Sequence, residues 1–490
     1  MGKLTKKLQD NLDYLKEKMG VGQSFDVIVR EMEIAGKDAA LIFVDGFVKD
    51  EVMFIMKYLF QLQREDIVPQ TIDKLYKKCV VYFEVDRVDK SSEIIDNVLA
   101  GPVALLVDGE REAIIIDARE YPARGPEEPD IERVTRGSRD GFTETLVFNT
   151  ALIRRRIRDP ALRVELIQVG QRSKTDIALV YIKDIANPGT VDLLRERIGE
   201  IEIDGLPMAE KSVEEFLTLG TWNPFPQVRY TERPDVAAVH LLEGHILILT
   251  DTSPSALIAP ATFFHHIQHA EEFRQNAAVG AYMRWVRYFG ILLSLIITPL
   301  WLLLVLKPGI LPPGWNFIGP KEPTPVPILL QLLLAEVGVD LVRMAAIHTP
   351  SALATALGII AAFMIGEIAI SVGLFTGEVV LYMAIAAVGT FATPGFEFAF
   401  AIRLIRLFLL LAVALFHLPG LLIGLVLFLF LLLRTKSFNV PYLWPLFPLD
   451  AGALLDIFIR WPIPYKVTRP SILRPRDPDR LPAPGGENDG

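Results

Sequence analysis

Tyr288-Phe-Gly-Ile-Leu-Leu-Ser-Leu-Ile-Ile-Thr-Pro-Leu-Trp-Leu-Leu-Leu-Val-Leu306 contains no charged side chain. As a helix it would extend about 28 Å, close to the ~30 Å of a bilayer's hydrocarbon. The run opens a longer apolar block. Across 288–433 the only acidic or basic residues are Lys307, Lys321, Glu322, Glu336, Asp340, Arg343, Glu367, Glu378, Glu397, Arg403 and Arg406. Helices built from such material have no polar face to turn toward water, so the block reads as a membrane domain.

What precedes and follows it is ordinary in composition. The 490-residue chain carries a formal charge of −9, which gives no electrostatic support to a nucleic-acid role. Cys79 is the single cysteine, so an internal disulfide and a cysteine-based zinc site are excluded. The N-terminus lacks the apolar stretch of a signal peptide. Leu4, Leu8, Leu12, Leu15 and Met19 instead make an amphipathic stripe, read as a separate packing helix over 1–20.

The polar half alternates short strands with helices. Asp38-Ala-Ala-Leu-Ile-Phe-Val-Asp45 is echoed by Asp176-Ile-Ala-Leu-Val-Tyr-Ile-Lys-Asp184, each followed by a helical pattern. The hairpin 103–117, with its Asp108-Gly109 turn, is matched to 236–251. The expectation is an α+β multidomain protein: a cytoplasmic N-terminal region of two related α/β subdomains, then an all-α polytopic membrane domain. The boundaries expected are 21–122, a Pro/Gly-rich linker at 123–139, a second subdomain with juxtamembrane helix at 140–283, a transmembrane domain at 284–434, and a cytoplasmic tail at 435–490. Beyond Arg469 the Pro/Arg/Asp/Gly composition predicts disorder. Arg154, Arg155, Arg156 and Arg158 predict a basic helix facing anionic lipid, another subunit or solvent.

No phosphate loop, GxSxG or HExxH is present, so the expectation is no enzyme and no cofactor. The one metal-like spacing is His265, His269 and Glu272, read as one helical face before the first span. Arg284 and Arg287 before the first span, and Arg434 and Lys436 after the last, mark cytoplasmic ends. About six spans are expected, at 285–306, 327–347, 351–374, 376–391, 396–417 and 418–433. The last two meet at Pro419-Gly420, which leaves a re-entrant pair open.

Glu336, Asp340 and Arg343 fall at i, i+4 and i+7, one stripe of the second expected span. Charge at membrane depth is costly, so these groups should face protein or water. Together with Glu367, Glu397, Arg403 and Arg406 they admit two readings. Pairs of the Asp340–Arg343 and Glu397–Arg403 type could lock the bundle, or some carboxylates could line a cation path.

Several stretches, in order, resemble the A-subunit family of bacterial spore germination receptors. They are Gly137-Ser-Arg-Asp-Gly-Phe-Thr-Glu144, Asn149-Thr-Ala-Leu-Ile-Arg-Arg-Arg-Ile-Arg158, Pro224-Phe-Pro-Gln227 and Thr231-Glu-Arg-Pro-Asp235. Further along come Glu243-Gly-His-Ile-Leu-Ile-Leu-Thr-Asp251, Pro260-Ala-Thr-Phe263, Ala401-Ile-Arg-Leu-Ile-Arg406 and Ser437-Phe-Asn-Val-Pro-Tyr442. The resemblance implies a protein of the spore inner membrane that acts when dormancy is broken. It implies self-association into an ion-conducting assembly, beside a permease-like B subunit and a lipoprotein C subunit, or beside a small membrane partner in a sporulation branch of the family. The family's Glu in the second span matches Glu336 and its Arg pair matches Arg403 and Arg406; no catalytic residue carries over.

Overall fold

The computed structural model describes residues 2–48, 52–80, 84–119, 132–310, 318–321, 325–348 and 364–480. They form two compact units. One comprises Met1–Thr221, Val228–Pro260 and Ile463–Gly490; the other comprises Trp222–Gln227 and Ala261–Pro462.

The first unit contains the same layout twice. Helix α1 (Leu8–Met19) precedes β1 (Val27–Ile34) and β2 (Lys37–Val44). Then come α2 (Val52–Gln61), β3 (Val85–Val88), α3 (Ser91–Ala100), β4 (Val103–Val107) and β5 (Ala113–Ile116). The second copy runs α4 (Leu146–Arg156), β6 (Leu162–Val169), β7 (Thr175–Ile182), α5 (Pro188–Gly199) and α6 (Ala209–Leu217). It closes with β8 (Arg229–Thr231), α7 (Pro234–Glu243), β9 (Ile246–Thr250) and β10 (Ala256–Ala259). The sheets are ordered β1-β2-β4-β5-β3 and β6-β7-β9-β10-β8, the same order shifted by five strands, and every pairing is antiparallel. Each half is therefore an antiparallel α+β fold rather than a parallel α/β one.

The strands read as continuous apolar runs because both faces of the sheet are covered. Along β4, Ala104 and Leu106 join a cluster with Leu8, Leu12 and Leu15 of α1 and Ile94 and Val98 of α3. Val103, Leu105 and Val107 join the opposite cluster with Leu59, Leu75 and Cys79. Burial pushes the Cys79 thiol above its ordinary pKa. Helix α1 is thus part of the first subdomain's core, not a separate segment.

The equivalence of β2 and β7 read from sequence holds in the topology, but 236–251 is not the counterpart of 103–117. Pro234 sits in the first turn of α7 and Gly244 caps it at φ 102°, as Gly101 caps α3 at φ 118°. Residues 236–243 therefore correspond to α3, and β9 corresponds to β4. An apolar run of that length fits strand or helix, and only the flanking Pro and Gly tell them apart.

Two further expectations change. Residues 132–139, assigned to a linker, belong to the second subdomain, where the Glu132 carboxylate accepts from Arg229 Nη2 and Thr231 Oγ1, both at 2.7 Å; residues 123–131 lie outside the described residues. The tail from Ile463 to 480 is placed against the first unit rather than disordered from Arg469. Arg469 Nε donates to Leu242 O at 2.9 Å, Arg476 N to Ile185 O at 2.9 Å, and Lys466 and Arg480 pair with Glu243. Low hydrophobicity concealed this, because the tail is held by charge and backbone hydrogen bonds with Leu473 as its one buried anchor.

The second unit is helical: α8 (Ala277–Leu306), α9 (Ile328–His348), α10 (Gly377–Phe391), α11 (Phe396–Arg434) and α12 (Ala451–Phe458). Among the described residues α8 and α11 are long and apolar enough to cross a membrane; six spans are not established. Helix α9 carries three charges and α10 has only 15 residues. Most of the expected third span, 351–363, lies outside the described residues. Helix α11 breaks at His417, whose φ of 53° is left-handed, just before Pro419. Its two arms, 396–416 and 418–434, fold back on each other. A Cβ on Gly420 would lie 2.0 Å from the backbone oxygen of Ala412, so only glycine permits the close return at that position.

Candidate functional site

The second unit is closed by charged side chains on α9 and α11. Glu336 and Asp340 are one turn apart on α9; Arg403 and Arg406 are three residues apart on α11, so each pair lies on a single helical face. Arg406 meets Glu336 in a fork, Nε to Oε1 at 2.5 Å and Nη2 to Oε2 at 2.9 Å. Its remaining nitrogen, Nη1, donates to Ser294 O of α8 at 2.6 Å and to Thr390 Oγ1 of α10 at 3.3 Å. One guanidinium therefore ties together four helices. Close approach of α8 and α10 beside it depends on facing glycines, since a Cβ on Gly389 would lie 2.2 Å from Gly290 O.

Arg403 completes the cluster. Its Nε lies 3.0 Å from Glu336 Oε2, an ion pair outside hydrogen-bonding angles, while Nη2 donates to Glu336 O and Nη1 to Asp340 Oδ1. Two carboxylates and two guanidinia balance to zero. Glu336, Arg403 and Arg406 are 1%, 3% and 2% exposed, so mutual neutralisation is what makes their burial tolerable.

The partners differ from those expected by spacing. Asp340 pairs with Arg403, not with Arg343. The Arg343 guanidinium instead lies over the rings of Phe391 and Phe400, 4.6 and 5.0 Å from their centroids. Neighbours along one helix were read from i, i+3 spacing, whereas the partner is 63 residues away on another helix. Glu397 is in the first turn of α11, half-buried, and Glu367 is exposed on the turn Met364–Ile368; neither is among the side chains that meet at the Arg406 knot.

The His265, His269 and Glu272 face does not form. Phe263–His266 is a 3-10 turn separated from the short helix Glu271–Arg274, and among the described residues no three His, Cys, Asp or Glu side chains gather to hold a metal. Glu272 is instead buried against Arg284 Nε at 2.7 Å and against Arg287. Those two arginines, read as markers of membrane orientation, are pinned by this carboxylate; Arg284 also donates to Asp456 O at 2.8 Å and Ile457 O at 3.0 Å.

Within each unit, motifs carrying the family resemblance meet one another. At the open end of the α11 hairpin, Phe225 packs between Phe398 and Phe428, with ring centroids 5.8 and 5.9 Å away, and against Tyr442. Ser437 Oγ donates to Gln227 O at 2.6 Å and accepts from Ala261 N at 2.9 Å. In the first unit, Asp140 pairs with Arg156 at 2.5 Å, Arg233 Nη2 donates to Ser138 O at 2.9 Å, and Arg154 reaches Asp26 of the other copy at 2.9 Å. Thus Arg154 and Arg156 of the basic helix are internal clasps. Glu243, in the fifth motif, feels burial first, which opposes ionisation; Lys466, His240, Arg480 and His245 outweigh that and hold its pKa down at about 2. Burial pushes His240 down to about 3 and His245 to about 4, so both are uncharged near neutral pH and act on Glu243 only in the acid range where it titrates.

An antiparallel duplicated α+β unit is followed by a helical unit with two membrane-length helices and a neutralised charge knot. The family model described as Bacillus/Clostridium GerA spore germination protein matches residues 13–472, and the chain belongs to that family. It is 48% identical to Stage V sporulation protein AF of Bacillus subtilis (strain 168), with 96% of each chain covered. It is 31% identical to Spore germination protein GerLA of Bacillus cereus over 97% of this chain and 98% of the relative. A crystal structure of the N-terminal domain of the A subunit of the Bacillus megaterium spore germinant receptor GerK3 is 32% identical, covering 53% of this chain and 97% of that one, at a TM-score of 0.42.

Proposed function

We propose that the protein is a non-enzymatic subunit of the spore inner membrane that self-associates and conducts or gates monovalent cations when dormancy is broken. Its N-terminal unit faces the cytoplasmic core. Its partners are a small membrane protein or the permease-like B and lipoprotein C subunits that the family resemblance implies. The supporting observation is the Arg406 knot. It spends Glu336 and Asp340 on closing one chain's bundle, so those carboxylates set the frame of a path rather than bind ions. Glu367, exposed, and Glu397, half-buried at a helix start, are carboxylates that an adjoining copy or a water-filled path reaches.

A second reading, a non-conducting scaffold that assembles germination partners, draws on the same knot, because a charge-neutral cluster exerts little field on a passing ion. The two part in a planar bilayer. Purified protein with its co-purified partner should give unitary currents selective for Na⁺ over Cl⁻. Glu397→Gln should lower that permeability ratio by roughly twofold or more while leaving assembly intact; Arg406→Leu should abolish assembly itself, since it leaves Glu336 and Asp340 with Arg403 as their single cation, at a cost of about 3–5 kcal/mol. Persistent silence from the wild-type complex would discard conduction and leave the scaffold.

A further inference from the structure

The segment after the α11 hairpin turns back to the start of α8. Phe458 of α12 packs on Trp285 and Tyr288, with ring centroids 5.4 and 5.9 Å apart. Tyr288 Oη donates to Ile457 O at 3.2 Å, and the buried Arg284 holds the carbonyls of Asp456 and Ile457. Ile457 is the buried side of α12. The other side is apolar and, among the described residues, exposed. Leu455 and Ile459, at i and i+4, are exposed, and the turn before the helix adds Phe447 and Leu449, 61% and 72% exposed. A cluster of large apolar side chains on a short, firmly held helix and its two flanks is unusual on a surface that meets water.

We infer that residues 446–459 form an in-plane membrane element, with α12 lying in the interface of the bilayer beside the entry of α8 and its Leu449, Leu455 and Ile459 side chains immersed among acyl chains. Continuity argues for lipid as the occupant. The exposed apolar stripe of α8 begins next to Phe458, with Trp285, Phe289 and Leu292 facing outward. Aromatic residues gather at this level, as they do where membrane helices meet headgroups. The charges on the segment are Asp450 and Asp456, and Arg460 follows it directly. With two acids and one base, attraction to anionic headgroups contributes nothing. Attachment must come from apolar burial, at about 0.8 kcal/mol per buried CH₂, and should be indifferent to lipid charge and salt. Arg284 is a positioning residue for this element, since it fixes α12 through backbone carbonyls.

The inference rests on α8 crossing the bilayer, and the test separates the two. In a Cys79→Ser background, an environment-sensitive fluorophore is placed at Leu455→Cys, Leu449→Cys or, on the α8 stripe, Leu292→Cys. The full chain is reconstituted in phosphatidylcholine vesicles. Lipids brominated near the headgroup should quench the 455 and 449 labels at least threefold more than aqueous iodide does, with the same result at 20% phosphatidylglycerol and in 0.5 M salt. Quenching by iodide at 455 and 449, with bromolipid quenching retained at 292, would overturn the in-plane element while leaving the span. Aqueous quenching at 292 as well would mean that α8 does not cross. Protection of 455 and 449 from both quenchers would overturn the proposal in favour of burial against protein.

Discussion

The two copies in the first unit share a layout but not a surface, and the difference shows which interactions duplication preserves. The start of α1 is capped by Asn11: Thr5 N donates to Asn11 Oδ1 at 2.9 Å, Asn11 Nδ2 donates to Thr5 O at 2.8 Å, and Leu8 N donates to Asp108 Oδ1 at 3.0 Å. The start of α4 repeats every bond. Thr143 N donates to Asn149 Oδ1 at 2.8 Å, Asn149 Nδ2 to Thr143 O at 2.6 Å, and Leu146 N to Asp251 Oδ1 at 3.1 Å. Asp108 and Asp251 satisfy a first-turn N–H that any helix start leaves unpaired, and each Asn ties the residues before its helix to the first turn, so these bonds are needed in each copy alike. Five residues beyond each Asn the copies part. Lys16 of α1 pairs with Glu31 at the surface, whereas the corresponding Arg154 of α4 is buried and grips Asp26 of the other copy. The side of α4 that a lone copy would expose became the joint between the two.

Breaking that joint should have the largest effect. Asp26→Ala leaves Arg154 buried with carbonyl partners alone and should cost about 3–5 kcal/mol, read as a hundredfold or greater rise in hydrogen-exchange rates across β1 and β6 of the full chain. Asp26→Leu combined with Arg154→Leu should recover most of the loss; equal damage in the double variant would mean that packing, not the unpaired charge, carries the joint. The caps sharpen the comparison from the other side. Asn11→Ala and Asn149→Ala should each cost about 1–2 kcal/mol and by similar amounts, measured as local exchange at the first turns of α1 and α4. A marked inequality would show that the caps are not equivalent. Smallest is Lys16→Ala, at about 0–1 kcal/mol, because an exposed ion pair gains little over solvent.

Much of this was legible beforehand because it follows from local patterning. The uncharged run 288–306 announced a membrane-length helix, the Leu8, Leu12 and Leu15 stripe announced an amphipathic one, and Asp108-Gly109 announced the β4–β5 hairpin. Glu336, Asp340, Arg403 and Arg406, the four residues of the knot, stood out for the same reason: charge in an apolar block is conspicuous. Their partners did not. Nothing in the spacing says that Arg406 reaches Glu336, Ser294 and Thr390, since those contacts arise from how four helices cross. The register of the second copy was misread where apolar composition fits either strand or helix. The docking of 463–480 escaped notice because charge and backbone hydrogen bonds, not hydrophobic periodicity, hold it.

By itself the sequence determined where the apolar helices and the capped helices lie, because periodicity, Gly, Pro and charge act within a few residues. The tertiary structure alone decided that α1 belongs to the first sheet, that the carboxylates of α9 answer the arginines of α11, and that Glu272 neutralises Arg284. Each of those is a pairing between distant segments, and burial makes a pairing obligatory only once the chain has brought the two ends together.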